Sequence, residues 1–216
     1  MREGPMLTLY GDLDSGNVYK VRLVLAHLGV AYRRVDTTQG RGEPQTPEFR
    51  AINPIGKIPT LVFDDGRVLS ESGAILYYFA RDTAMFAGDV WEQANVLRWM
   101  FFEQYSHEPY IAVNRHLLKH PGIAGAVERI AANHPRGLQA LAVMEQHLAG
   151  NDWLAAGRYT IADIALYAYT HSATEGGFDL TPYAGIRAWL DRVRAQPGHI
   201  TQMQEEPGVP VTRWPG

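Results

Sequence analysis

Two stretches of this chain carry residue types whose spacing can do chemistry. One is Asn53-Pro54-Ile55-Gly56-Lys57-Ile58-Pro59-Thr60-Leu61, with Glu71-Ser72-Gly73-Ala74-Ile75 following it. An Asn-Pro turn and a glycine lead into an Ile-Pro pair that opens a β-run, Thr60 to Phe63. An X-Pro bond at the mouth of a strand is a place where a cis peptide can be held. A cis Ile58-Pro59 bond would turn the N–H and C=O of Ile58 outward, whereas a trans bond would merely start a strand. A small peptide can dock on such an edge as an added strand, through main-chain hydrogen bonds. Glu71 and Ser72 then set a carboxylate, a hydroxyl and uncommitted N–H groups at a helix start. That combination suits an α-amino-acid head group bearing both charges. The other stretch is Asp14-Ser15-Gly16-Asn17, just beyond Tyr10. The Ser15 hydroxyl and the first N–H groups of the helix behind it can converge on one anion. Taken alone, the same serine reads first as an ordinary helix cap, and it is the Ile58 edge that turns the reading toward chemistry.

The elements that must position these residues follow from periodicity. Leu7 to Tyr10 reads as a short strand. Val18, Val21, Arg22, Leu25 and Leu28 recur at helical spacing, with Gly29 as the stop. Ala31 to Val35 is a second strand, Thr37 to Pro47 a polar loop, and Pro47 to Ala51 a short helix. A hairpin turning at Asp64-Asp65-Gly66 spans Thr60 to Leu69, and a helix runs from Ser72 to about Arg81. This β-α-β-α-β-β-α order predicts an α/β, thioredoxin-like domain over residues 6–83. From Trp91 the pattern turns to helix after helix, predicting an all-helical domain over 90–200. Trp91, Ala94, Leu97, Phe101 and Tyr105 suggest one long helix continuing past Tyr110. Ile123 to Ala149 is helical with Pro135 as a kink or break. Thr160 to Ser172 and Pro182 to Ala195 are further helices, and residues 201–216 read as a C-terminal tail.

Composition excludes several functions. A chain of 216 residues with 46% hydrophobic residues can bury a sizeable core. The net charge of -3 offers no broad basic field for nucleic acid. Without any Cys there is no disulfide framework, thiolate metal site or catalytic cysteine. No apolar run reaches the length of a membrane span, and Met1 to Pro5 opens no signal peptide, so the cytoplasm is the expected compartment. His116 and His120 can share a helical face as metal ligands do, but no acidic third ligand follows and Pro121 ends the segment, so no metal is expected.

Ser15-Gly16-Asn17 after strand one, Asn53 to Leu61, Glu71 to Leu76 and Tyr159-Thr160-Ile161-Ala162-Asp163-Ile164-Ala165 stand in one order along the chain. Together they resemble a cytosolic glutathione transferase of the bacterial, theta-like type with a serine active site, from Met6 to about Pro197. The resemblance implies that glutathione is the co-substrate and that its central cysteine points toward the end of strand one. Theta-like members place a serine at the position of Ser15. Another bacterial group has Thr or Ser followed two residues later by Asn, as Ser15 and Asn17 stand here. Ser15 would then donate a hydrogen bond to the thiolate, with Asn17 as a second donor or as plain helix-start polarity. Tyr10 is the competitor, because other classes use a tyrosine near the end of strand one. Ile58 and Pro59 would form the docking edge, and Glu71 and Ser72 would hold the γ-glutamyl end. Gln45 and Lys57 would meet the glycyl carboxylate, with Arg41 as a substitute, although Lys57 reads equally as a solvated charge. A free thiol has a pKa of about 8.5, and lowering it by about two units takes roughly 2.7 kcal/mol. A hydrogen bond to a charged group supplies about 1.5–3 kcal/mol, and a helix N-terminus about 0.3–1, up to ~2 when partly buried.

The remaining motifs read as architecture. Thr160-x-x-Asp163 is a capping box, with Tyr159 and Ile164 placed as a staple, so Asp163 is structural. Trp99, Phe102, Tyr105 and Tyr110 are aromatic residues for either core or an apolar co-substrate. Three functions fit these residues. The first is a transferase that conjugates glutathione to a hydrophobic electrophile or reduces a peroxide. The second is a glutathione-dependent disulfide-bond reductase. The third is a non-catalytic interaction module of the same fold. The resemblance also implies a homodimer.

Overall fold

The computed structural model of the chain describes residues 7–86 and 88–215. Met1 to Met6, on which the expectation about a signal peptide and the start of the resemblance fall, lie outside the described residues. The chain divides into two compact units. One comprises the N-terminal segment up to Phe79 together with Pro197 onward, the other Ala80 to Gln196.

The first unit is a mixed sheet with helices. Its elements are β1 (Leu7–Tyr10), α1 (Gly16–Leu28), β2 (Tyr32–Asp36), α2 (Pro47–Ile52), β3 (Thr60–Val62), β4 (Val68–Ser70), α3 (Ser72–Ala80) and β5 (Val211–Arg213). The strand order is β4-β3-β1-β2-β5. β1 runs parallel to β2 and antiparallel to β3, with Tyr10 opposite Thr60. β4 runs antiparallel to β3, with Thr60 opposite Ser70. Leu9, Val18, Val21, Leu25, Phe49, Leu61, Ile75 and Leu76 are fully buried and form its core. Gly29 ends α1 in the left-handed region, as its stop role requires. Thr37 to Pro47 is not a plain loop: it contains short 3-10 turns at Gln39–Arg41 and Glu43–Gln45.

The expected tail, residues 201–216, is instead part of this unit. β5 pairs in parallel with β2, extending the sheet by one strand. The segment leading to it is stapled to α1 and β2 by buried polar groups. Arg22 grips Glu206 with Nε and Nη2, both at 2.8 Å, and donates to the carbonyls of Gln202 and Gln204. The Tyr19 hydroxyl donates to Ile200 O at 2.6 Å and Tyr32 to Glu206 at 2.6 Å. A polar, Pro-rich sequence carries no hydrophobic alternation to mark it as a strand. The strand itself is exposed, and ionic and main-chain bonding fix it, with Trp214 behind it packed on Tyr10 and Phe49.

The second unit is helical: α4 (Val90–Phe102), α5 (Glu108–Lys119), α6 (Ala126–Leu148), α7 (Ile161–Thr170) and α8 (Ala184–Arg194). α7 is buried along its whole length. The rod expected to pass Tyr110 does so, but through a π-turn at Glu103–His107. Pro109 has no N–H for the carbonyl of Tyr105 and its ring crowds that carbonyl, so the helix widens there. α6 runs unbroken through Pro135. Pro135 and the residue whose carbonyl it leaves unpaired, Ala131, are both exposed, which leaves that carbonyl open to solvation. The buried face of α6 continues beyond it through Gly137, Ala140, Leu141, Met144 and Leu148. Asp163 accepts from Thr160 N (2.8 Å), Thr160 Oγ1 (3.0 Å), Leu154 N (3.1 Å) and Trp189 Nε1 (2.9 Å), and the capping box is complete.

Candidate functional site

The sheet register brings the chemistry-bearing residues together. β1 and β3 are antiparallel, as are β3 and β4. The end of β1, the start of β3 and the end of β4 therefore share one end of the sheet. The turn after β1 carries Ser15, the residues before β3 are Ile58 and Pro59, and those after β4 are Glu71 and Ser72. Strand direction thus brings the Ser15 turn to the same end as segments more than forty positions away in the sequence.

Ser15 is the N-cap of α1. Its Oγ accepts from Val18 N at 3.3 Å, and its own N–H donates to Asp12 Oδ1 at 2.9 Å. Cap and anion-binding roles are compatible. The cap uses an oxygen lone pair and leaves the hydroxyl hydrogen to donate elsewhere. Burial pushes the Asp12 carboxyl above its ordinary value, although the Ser15 N–H offsets part of that, and neighbouring Asp14 adds to it. Asn17 Oδ1 accepts from Lys20 Nζ at 2.8 Å and from Ser72 Oγ at 3.1 Å. The second of these bonds ties the start of α1 to the start of α3. Lys20, only 1% exposed, is a residue that sequence reasoning missed. It lies three residues after Asn17, on the side of α1 away from the Val18-Val21-Leu25 stripe, so helical periodicity did not mark it.

Asn53 builds the Ile58 edge. Its side chain is buried, with Nδ2 donating to Lys57 O at 3.0 Å and Thr60 Oγ1 at 2.8 Å, and Oδ1 accepting from Ile55 N at 3.1 Å. Gly56 turns in the left-handed region at φ 65°. The Ile58–Pro59 peptide is cis, and Ile58 lies ahead of the first ladder residue of β3, Thr60. Glu71 holds φ 67°, a left-handed conformation that a non-glycine residue keeps only when its surroundings impose it. Its carbonyl accepts from Ile75 N at 3.0 Å, so Ser72 opens α3 directly behind it.

The candidates for a carboxylate lie beside Gly56. Gln45 donates Nε2 to Gly56 O at 2.5 Å and accepts from Arg50 through Oε1. One arm of its amide is thereby committed to the loop. Lys57 is exposed, and Arg50, which sequence reasoning passed over, brings a second cation to this corner. Arg41 is held by Glu43 at 2.6 Å. Tyr10 packs edge-on against Phe49 (6.0 Å) and Trp214 (5.8 Å).

The four aromatic residues of the helical unit separate. Trp99 is core, against Phe102 and His147. Tyr105 is 82% exposed. Phe102 and Tyr110 line a cavity of about 220 Å³ with Arg136, Gln139 and Val143. His116 and His120 sit at the exposed end of α5, ring centroids 4.5 Å apart. Among the described residues no group of three His, Asp or Glu side chains could hold a metal ion, and no helix is long and apolar enough to cross a membrane.

Comparison with known proteins agrees with this architecture. The profile of the glutathione S-transferase N-terminal domain matches residues 5–81, and that of the C-terminal domain matches residues 103–197. The chain belongs to the glutathione S-transferase family. It is 33% identical to the disulfide-bond oxidoreductase YfcG of Escherichia coli (strain K12), over 89% of this chain and 92% of the relative. It is 32% identical to glutathione S-transferase 3 of Zea mays, over 88% of this chain and 90% of that one. The crystal structure of a glutathione S-transferase from Pseudomonas fluorescens Pf-5 superposes with a TM-score of 0.89 at 46% identity, over 92% of this chain and 100% of the other.

Proposed function

We propose that the chain binds glutathione along the edge at Ile58 and Pro59 and holds its thiol as thiolate with Ser15. The observation carrying this reading is the convergence of Ser15, Ile58-Pro59 and Glu71-Ser72 at one end of the sheet, joined by the Ser72–Asn17 bond of 3.1 Å. The γ-glutamyl head group sits at Glu71 and Ser72, its carboxylate toward the α3 N-terminus. The glycyl carboxylate lies toward Gln45 and Lys57, with Arg50 adding charge. Ser15 Oγ–H donates to sulfur, Asn17 contributes polarity, and the first turn of α1 adds its positive end. The thiol proton leaves to water. The thiolate then displaces a leaving group from a hydrophobic electrophile, giving thioether, leaving group and proton. With a peroxide, two glutathiones give alcohol, water and glutathione disulfide. Ser15 is a hydrogen-bond donor here and not a nucleophile. Retention on immobilised glutathione, compared between the native chain and Ser15→Ala, tests this. Binding kept with turnover lost supports the reading; failure of both proteins to bind refutes it and favours the non-catalytic module.

A second reading is reduction of a disulfide by two glutathiones, which yields two thiols and glutathione disulfide. The relative YfcG, named a disulfide-bond oxidoreductase, favours it. With no Cys in the chain the protein itself forms no mixed disulfide, so on this reading both reducing equivalents come from glutathione. Turnover of a small disulfide against an aryl halide separates the two readings. A cytoplasmic homodimer belongs to the same proposal. The dimer is supported by exposed aromatic rings, Trp91 at 76% and Phe101 at 68% on α4 and Tyr105 at 82% in the π-turn after it, which a second copy would cover.

A further inference from the structure

The family profiles end at residue 197, and the strap that follows is outside both. It nevertheless reaches the candidate site. Gln202, 6% exposed, donates Nε2 to the carbonyl of Asp14 at 2.7 Å. Asp14 immediately precedes Ser15, whose N–H is held from the other side by Asp12 Oδ1 at 2.9 Å. The turn that presents the Ser15 hydroxyl is therefore pinned by one bond from within and one from the strap. The strap has little freedom of its own. Ile200 O accepts from Tyr19, Gln202 O from Arg22, and Glu206 from Arg22 and Tyr32, so Gln202 stands between anchors on both sides. At its far end Trp214 packs on Tyr10, the last residue of β1 before the same turn.

We propose that Gln202 is a positioning residue for Ser15: through Asp14, the C-terminal strap sets where the Ser15 hydroxyl and the α1 N-terminus meet a ligand's sulfur. The proposal rests on the reading of Ser15 given above. A hydrogen bond to a thiolate depends steeply on distance and angle, and displacement of a reacting group by about 1 Å can cost about a hundredfold. The Gln202 side chain bonds to the turn ahead of Ser15, not to the Ile58 edge or the Glu71-Ser72 pair. Its loss should therefore change the state of the sulfur more than the hold on the peptide.

The test compares the full chain with Gln202→Met, which keeps the volume and cannot donate, and Tyr19→Phe, which removes a neighbouring anchor but leaves the Gln202–Asp14 bond. Glutathione affinity is read by calorimetry, the bound thiol's ionisation by ultraviolet thiolate absorbance across pH, and stability by thermal unfolding. Gln202→Met is expected to raise the bound thiol's pKa by about one unit, about tenfold less thiolate at a given lower pH. Its affinity for glutathione is expected to stay within about threefold, a difference of well under 1 kcal/mol by the usual conversion. Tyr19→Phe should lower the melting temperature and leave the thiol pKa unchanged. Should Gln202→Met not fold, Gln202→Asn, whose amide reaches one methylene less far, is read in the same way. An unchanged thiol pKa in the Gln202 variant, or an equal change in Tyr19→Phe, overturns the proposal while the Ser15 reading stands. A native chain that neither binds glutathione nor lowers its thiol pKa overturns both.

Discussion

Replacing Glu206 by Gln removes one charge from a buried pair and keeps nearly all the volume. Arg22 is fully buried, and the Glu206 side chain is 9% exposed. Two N–H groups of Arg22 meet the two carboxylate oxygens, each at 2.8 Å, and the Tyr32 hydroxyl adds a third bond at 2.6 Å. Burial alone would raise the Glu206 carboxyl, but the bonds from Arg22 and Tyr32 outweigh it and hold the group below its ordinary value. Breaking a buried pair by neutralising one partner costs about 3–5 kcal/mol, because the other charge stays buried. The carbonyls of Gln202 and Gln204 still face Arg22, and the new amide oxygen can accept one bond. The lower end, about 3 kcal/mol, is therefore expected. For a chain of this size about 1 kcal/mol moves the melting temperature by roughly 2–4 °C, giving a drop of about 6–12 °C. In urea the midpoint should fall with the slope preserved. A carboxyl whose folded pKa is depressed stabilises above its unfolded pKa and loses that contribution as pH falls through the folded one. The gap between Glu206→Gln and the native chain should thus narrow in acid. A gap below about 1 kcal/mol at neutral pH would refute the view that the ion pair, alongside main-chain bonding, fastens the strap.

Other expectations are separately measurable. On the proposed reading Ser15→Ala removes a hydrogen bond to a charged sulfur, worth about 1.5–3 kcal/mol; turnover should fall roughly 10–100-fold while stability drops only by the worth of a cap, about 1 kcal/mol. Gly137 faces Phe178, where an added Cβ would lie 2.4 Å from two ring carbons. Phe178 is itself buried and stacked on His134, so it cannot yield. Gly137→Ala should therefore destabilise by about 1–3 kcal/mol in denaturant titration, although helix propensity alone would favour it by about 1. Burial raises the Asp163 carboxyl from 3.8 to about 6, even though Trp189, Leu154 and Thr160 all donate to it. A raised carboxyl contributes stability that is complete below the unfolded value and is lost as pH climbs through the folded one. At about 1.4 kcal/mol per unit this amounts to about 3 kcal/mol. The stability advantage of the native chain over Asp163→Asn should shrink by that amount between about pH 4 and pH 7, and one that grows over this interval contradicts the assignment.

What the sequence could reveal depended on whether the signal was local. The β-α-β-α-β-β-α order was legible because each element announces itself within a few residues: Gly29 as a stop after Leu28, Asp64-Asp65-Gly66 as a reversal, Thr160-x-x-Asp163 as a box. Candidate site residues were nameable for the same reason, since Ser15, Glu71 and Ser72 stand at element boundaries where backbone groups are uncommitted. The left-handed backbone of Glu71 was not legible, because tertiary surroundings impose it and the residue type argues against it. Nor was the role of Asn53 in tying Lys57 to Thr60, since a turn-favouring residue leaves its side-chain partners unspecified. The π-turn could have been inferred: a proline at 109 inside an otherwise continuous helical pattern must displace a hydrogen bond somewhere.

The strap eluded a reading that looked for apolar alternation, yet its partner was in plain sight. Arg22 occupies a helical register shared with Val18, Val21 and Leu25, all fully buried. A guanidinium in that stripe cannot be left bare, because an unpaired buried charge costs more than the fold can absorb. Something anionic had to cover it. The nearest acids on the same helix face are absent, since the first turn of α1 holds no acidic residue. Glu205-Glu206, in a stretch dismissed for its polarity, is the acidic dipeptide that answers it: Glu206 pairs with Arg22, and Glu205 with Arg34, which is equally buried. Buried cations on α1 and β2 thus demand a polar cover, and a polar cover must be held by bonds to backbone carbonyls as well as to its own acids. One of those bonds falls on Asp14. The features that made the segment look like solvent-exposed tail are the ones that let it fasten the turn carrying Ser15.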